Sequence, residues 1–179
     1  ARRQRGRILK DGDRAAPRAF RRILMLKPLR LIAVGRLKTP FWKAAAAHYV
    51  ERLARWRALA VSEVKDGDPA LPVEQRKNQE GRAILAALAP RDIPFCLDEH
   101  GEALTSRALS RLLEALPANA RPCFIVGGAY GLDPTVIAAG RRVLALGPLT
   151  LPHELARVVL LEQMYRAEAI ARGIPYHHD

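Results

Sequence analysis

Short apolar runs that stop at glycine, alternating with stretches of helical spacing, set the limits on how this chain folds. Leu29–Val34 ends at Gly35, Cys123–Val126 ends at Gly127-Gly128, and Val143–Leu146 ends at Gly147. Runs of this length bounded by turn residues read as buried strands. Two of them lead into helices. After the Cys123–Val126 run, Asp133-Pro134 supplies an N-cap and a proline suited to the first helical position. After the Val143–Leu146 run, the loop Gly147–Leu151 leads into an apolar-rich helix from about Pro152 to Ala171.

The rest of the chain repeats the alternation. Thr39-Pro40 opens a helix around Phe41–Trp56, whose apolar positions Trp42, Ala45, Ala46, Tyr49, Val50 and Leu53 recur every three or four residues. Ala60–Val64 reads as a strand, Lys65–Pro72 as a polar loop, and Val73–Leu88 as a helix with Arg76, Lys77 and Arg82 in solvent. Ile93–Leu97 is a further strand, Asp98–Glu102 a turn, and Thr105 or Ser106 caps a helix through Leu116. Strands alternating with helices predict an α/β fold: a mostly parallel sheet with helices on both faces. Ligands of such sheets sit beyond the carboxyl ends of the strands, which puts Leu97, Gly127 and Leu146 near one rim.

Charge divides the chain unevenly. Residues 1–24 hold nine Arg and Lys against two Asp, while the remaining body holds 21 against 16 acidic residues. A mildly basic body suits nucleic acid without demanding it. The basic arm has three readings: a segment upstream of a true start at Met25, an RNA-binding tail, or an appended segment. The upstream start is the expected one, leaving residues 25–179 as a single domain. No apolar stretch follows the arginines as a secretory signal requires, and none reaches the about 20 residues of a membrane span. Cys96 and Cys123 form neither a C-x-x-C pair nor a metal spacing with histidine, so no metal site is expected and both read as buried thiols of a cytoplasmic protein.

Three segments together carry a resemblance to a known family: V-G-G-A-Y-G-L (Val126–Leu132), L-T-L-P-H-E-L-A-R-V-V-L-L-E-Q-M-Y-R-A (Leu149–Ala167) and P-Y-H (Pro175–His177). With L-I-A-V-G-R-L-K (Leu31–Lys38), this pattern resembles the RlmH family of SPOUT-class methyltransferases over residues 29–179. The resemblance implies a C-terminal trefoil knot within the α/β fold, S-adenosylmethionine as cofactor, and a homodimer. It further implies methylation at N3 of the pseudouridine at position 1915 of 23S rRNA, in the assembled ribosome. Two other readings remain open: a relative acting on tRNA, and a ribosome-associated RNA-binding factor without activity.

By the same resemblance the cofactor lies against Leu97, Gly127, Leu146, Gly147, Pro148, Leu149, Thr150 and Leu151. Aliphatic walls with main-chain donors and acceptors suit adenine, which has apolar faces and polar edges. The glycine pair is not a dinucleotide fingerprint, because G-G-A-Y-G-L lacks the G-x-G-x-x-G spacing. Methyl transfer to an imide nitrogen needs alignment and a proton acceptor, and a neutral histidine accepts protons near neutrality. His153 beside the cofactor loop and His177 on the tail are the candidates, with His178 a further tail histidine and Tyr176 donating a hydrogen bond or stacking on a base. The family usually continues P-Y-H with Arg or Lys, where this chain has His178, exchanging a permanent cation for a titratable one. Tyr130 stands in a loop position where other members often carry polar residues; it touches RNA or covers the cofactor. Finally, Leu155, Val158, Val159, Leu160, Leu161 and Met164 surround the last helix with apolar side chains, which points to a subunit interface. Arg157 and Arg166 on that helix read as solvated charges.

Overall fold

A computed structural model of the chain describes residues 28–178; the basic arm 1–24 and Met25 lie outside the described residues. In chain order it forms β1 (Leu29–Val34), α1 (Pro40–Ala54), β2 (Leu59–Val64), α2 (Val73–Ala87), β3 (Asp92–Ala103), α3 (Ser106–Glu114), β4 (Arg121–Val126), α4 (Pro134–Ala139), β5 (Arg142–Ala145) and α5 (His153–Ala171). The five strands pair in the order β2-β1-β4-β3-β5, and every pairing is parallel.

Strand residues alternate between two cores, as a two-residue period requires. Leu29, Leu31 and Ala33 of β1 join Phe95, Phe124, Leu53, Leu113 and Leu161 on the face of α1, α3 and α5. Ile32 and Val34 join Cys96, Cys123, Ile125, Ile84 and Val136 on the face of α2 and α4. Burial on both faces explains why these strands read as continuous apolar runs. The expected α/β class, with helices on both faces, is what the chain adopts.

Helix ends follow their capping chemistry. Thr105 accepts a hydrogen bond from the Ala108 N–H at 3.1 Å, and Asp133 Oδ1 accepts one from the Thr135 N–H at 2.8 Å. Pro40 and Pro134 occupy first-turn positions, where no intrahelical N–H is needed.

Four expectations need correction. The segment Asp98–Glu102 is not a turn that ends β3: the strand runs on to Ala103, although its ladder to β5 slips between Leu97 and Glu102. Both of those residues pair with Leu144, so residues 98–101 form a bulge. Gly101 permits it, because a Cβ there would stand 2.6 Å from the Leu144 carbonyl carbon. Arg76 is not a solvated charge but half-buried, donating to the Leu71 and Pro69 carbonyls at 2.8 and 2.6 Å. Arg157 is buried, donating to Glu63 Oε1 at 2.5 Å, and Arg166 is half-buried against Glu162. Lastly, much of the apolar surface of α5 is covered within one chain, with Leu155 and Val159 left half-buried. The helix packs between α1 and α3 on the sheet, with its acidic and basic side chains in ion pairs such as Arg57–Glu168 at 2.8 Å.

Cys96 and Cys123 are fully buried, and burial pushes their thiols up to about 11 and about 12. Because the thiolate is the reactive form, both should be silent toward a thiol-disulfide reagent at pH 8 in the native protein. Both should react in full in concentrated urea. Rapid native labelling of either one would contradict this packing.

Candidate active site

The carboxyl rim of the sheet is built by three neighbouring strands, β4, β3 and β5. Cys96 is level with Ile125, and Leu97 with Leu144, so Leu97, Gly127 and Leu146 come to this rim together. Connections leave β1 and β4 toward opposite edges of the sheet, which makes their shared end a switch point where α/β folds open a crevice.

After β4 the chain turns through Gly127–Gly131. An isolated antiparallel bridge joins Gly128 to Gly131, whose N–H donates to the Gly128 carbonyl at 3.2 Å. A Cβ on Gly127 would meet the Gly131 carbonyl carbon and oxygen at 2.8 and 2.9 Å. Glycine is therefore required at 127 by the loop's own return. Gly128 faces α2, where Glu80 accepts the Gly67 N–H at 2.8 Å and so ties the loop after β2 to this corner.

After β5, Leu146 packs into the core, while Pro148, Leu149 and Thr150 are exposed; Leu149 is 76% exposed. Gly147 has φ of 140°, with open space where a Cβ would stand. Thr150 donates to Glu99 Oε2 at 2.6 Å, which ties this loop to the bulge of β3. The two rim loops and Leu97 thus bring aliphatic side chains and irregular main chain to the same end of the sheet, the kinds of group that suit an adenosyl moiety.

The three proton-handling candidates are not brought together. His153 is half-buried at the first residue of α5, against the loop after β1, where Glu154 accepts the Lys38 N–H at 2.6 Å. A hydrogen bond from Thr39, joined by that of Lys38, holds the Glu154 carboxyl below its usual range. The tail packs on the other half of the helix. Tyr176 donates to Glu162 Oε1 at 3.1 Å, and His177 Nδ1 lies 3.4 Å from Arg166. Thirteen residues of helix separate His153 from Arg166, roughly 20 Å at 1.5 Å per residue. Burial, reinforced by Tyr49 and Glu162, pushes the Tyr176 hydroxyl up to about 12, so it is a hydrogen-bond donor at neutral pH.

The bed beneath the tail was not legible in the sequence. Arg52 lies 4.1 Å from the Tyr165 ring centroid and 5.0 Å from that of Tyr176, and Arg166 lies 4.7 Å from the Tyr176 centroid. Tyr49, three residues before Arg52 on α1, was the available signal, since that spacing places both on one helix face. Among the described residues no group of three or more His, Cys, Asp or Glu is arranged to hold a metal. No helix among them is long and apolar enough to cross a membrane.

Comparison with known proteins decides the family. Residues 28–177 match the family described as Predicted SPOUT methyltransferase. The chain belongs to the SPOUT methyltransferases. A SPOUT relative from Desulfovibrio desulfuricans, named Ribosomal RNA large subunit methyltransferase H, is 60% identical over 154 residues, covering 85% of this chain and 98% of its own. The protein of that name from Lawsonia intracellularis is 54% identical over 154 residues, with the same coverage. Among solved structures, a probable methyltransferase from Bordetella pertussis aligns over 83% of this chain and 99% of its own. Its TM-score is 0.52 at 16% identity, a likeness of fold. The SPOUT assignment agrees with the parallel sheet flanked by helices.

Proposed function

We propose that this chain transfers a methyl group from S-adenosylmethionine to N3 of a pseudouridine in 23S rRNA within the assembled ribosome, as a homodimer in the cytoplasm. The observation that carries the reading is the near full-length match, 60% identical, to a relative named for large-subunit ribosomal RNA methylation. When bound, the cofactor would supply an electrophilic methyl group for the N3 acceptor, whose imide proton would be taken by a base of this protein. Leu97, Gly127 and residues 146–151 would hold the adenosyl group and exclude water. His153 and His177 would between them accept and relay the proton, and Tyr176 would donate a hydrogen bond to the acceptor base.

The separation of His153 from the tail supports a composite site. In a homodimer, the Tyr176-His177 tail of one copy would complete the rim of the other. The trefoil knot belongs to the same proposal. After β5, at one edge of the sheet, residues 146–152 cross to α5, where Arg157 pairs with Glu63 of β2 at the opposite edge. A crossing of that kind is what a threaded C-terminal segment requires.

Incubating the protein with ribosomes and S-adenosylmethionine, then analysing nucleosides by mass spectrometry, should give an N3-methylated pseudouridine in 23S rRNA. His153→Ala and His177→Ala should each lower turnover by about a hundredfold, the lower range for general acid–base catalysis. Mixing the two inactive variants should restore roughly a quarter of native activity if each site draws on two copies. Methylated tRNA in place of rRNA, or no methyl transfer at all, would reject the reading. Full activity in both variants would remove histidine as the base.

A further inference from the structure

Of the five exposed large apolar side chains among the described residues, Tyr130 and Leu149 stand on the two rim loops. Leu149 belongs to the expected cofactor loop. Tyr130 has no such explanation: the residue is 51% exposed, in a loop whose core position is already filled by Leu132. A solitary exposed aromatic is ordinary on a protein surface. This one is held in a defined place. Its loop is closed by the Gly128–Gly131 bridge, and the guanidinium of Arg76 lies 5.4 Å from its ring centroid. Arg76 is itself fixed, with Nε donating to the Leu71 carbonyl and Nη2 to the Pro69 carbonyl. Carbonyl acceptors orient a guanidinium without cancelling its charge. The result is an aromatic face with a fixed cation beside it, at the end of the strand next to Leu97.

We propose that Tyr130 and Arg76 form a stacking platform for a nucleobase of single-stranded RNA next to the methylated nucleotide. The inference deepens the proposed function and rests on it. A base that enters a pocket must leave its stack, and its unstacked neighbour then needs a new partner. Aromatic rings serve any base, because each base presents a π-face, and a nearby arginine adds cation–π attraction and draws in phosphate. The platform therefore contributes affinity and position for RNA, with no hand in the transfer step.

Steady-state methylation with ribosomes and calorimetry with S-adenosylmethionine test this together. Tyr130→Ala should raise KM for ribosomes about tenfold, the scale of one lost stacking contact, and leave kcat and cofactor affinity within about twofold. Tyr130→Phe should restore KM toward the native value, since the ring face is what matters. A KM unchanged in Tyr130→Ala overturns the proposal. So does a loss of cofactor affinity, which would make the ring a cover for the cofactor. A second readout stands apart from catalysis: fluorescence quenching of a single-stranded RNA oligomer carrying 2-aminopurine. The native protein should quench it more strongly than Tyr130→Ala; equal quenching overturns the platform even if no methyl transfer is seen. Failure of methylation with quenching intact would count against the proposed reaction and leave the platform standing.

Discussion

Alanine at position 127 should cost S-adenosylmethionine affinity at least about tenfold and carry methyl transfer down with it. The cause is local. A single methyl group there would lie 2.8 Å from the Gly131 carbonyl carbon and 2.9 Å from its oxygen, a backbone contact that no rotamer change relieves. Either the Gly128–Gly131 bridge opens or the whole return of the loop is displaced at the rim. Overpacking of this kind typically costs about 1–3 kcal/mol. The surrounding strands should hold, since Cys123–Val126 are buried on both faces of the sheet. Calorimetric titration and urea unfolding, run on the same preparation, separate the two effects. Native cofactor affinity in a folded Gly127→Ala protein would show that this loop does not shape the site.

The largest stability effect is expected at the opposite end of the sheet. Asp92 opens β3 with its side chain 1% exposed, between Arg30 of β1 and Arg121 of β4, each at 2.5 Å. Its Oδ2 also accepts the Ala89 N–H at 2.8 Å, and Arg30 donates to the Ala87 carbonyl at 2.7 Å. One carboxylate thus joins three strands and the end of α2. Asp92→Asn keeps the shape and removes the charge, stranding two guanidinium groups. Breaking a buried pair this way costs about 3–5 kcal/mol, and the exposure of Arg121 places the expectation near the lower figure.

The pH dependence has a definite sign. Burial pushes the Asp92 carboxyl up, but the Arg121 hydrogen bond, the Ala89 N–H and the charge of Arg30 outweigh it, and the net shift is downward from 3.8. A carboxyl whose folded value is depressed contributes stability that is present above the unfolded value. That contribution is lost as pH falls through the folded value. Native protein should therefore lose stability below about pH 4 more steeply than Asp92→Asn. Parallel acid profiles of urea midpoints would contradict the cluster's role.

Much of this architecture is legible in the order of residues alone. β1 matches its expected bounds residue for residue, because an apolar run broken only by Arg30, between a proline and a glycine, admits few alternatives. The Asp133 and Thr105 caps were readable for the same reason: capping chemistry is local. The bulge in β3 was not. Asp98, His100 and Gly101 carry turn chemistry, and His100 does donate its N–H to Asp98 Oδ1 at 2.9 Å. What keeps the segment in the sheet is a pairing with β5, some 40 residues away, which no local signal records. The solvent reading of Arg157 failed similarly, since its partner Glu63 lies on β2, remote in sequence from α5. At the candidate site, the rim loops were visible as glycine-terminated runs. The distance between His153 and the tail was invisible, because it depends on the tail folding back along α5.

Residues 146–152 have a second duty, set by where they run. β5 lies at one edge of the sheet, and α5 begins where Glu154 holds the loop after β1, three strand positions away. At about 4.8 Å between strands that is roughly 14 Å, against a reach of about 24 Å for seven extended residues. The straight span thus takes up more than half of the reach before the path bends over the intervening strand ends. Removing three of the seven residues would bring the reach down to about the span itself, so this connection can lengthen but can shorten only slightly. Lys65–Pro72 has no such span to bridge. Evolutionary drift in the two loops should accordingly differ in kind: substitutions and insertions in both, but deletions of three or more residues only in Lys65–Pro72.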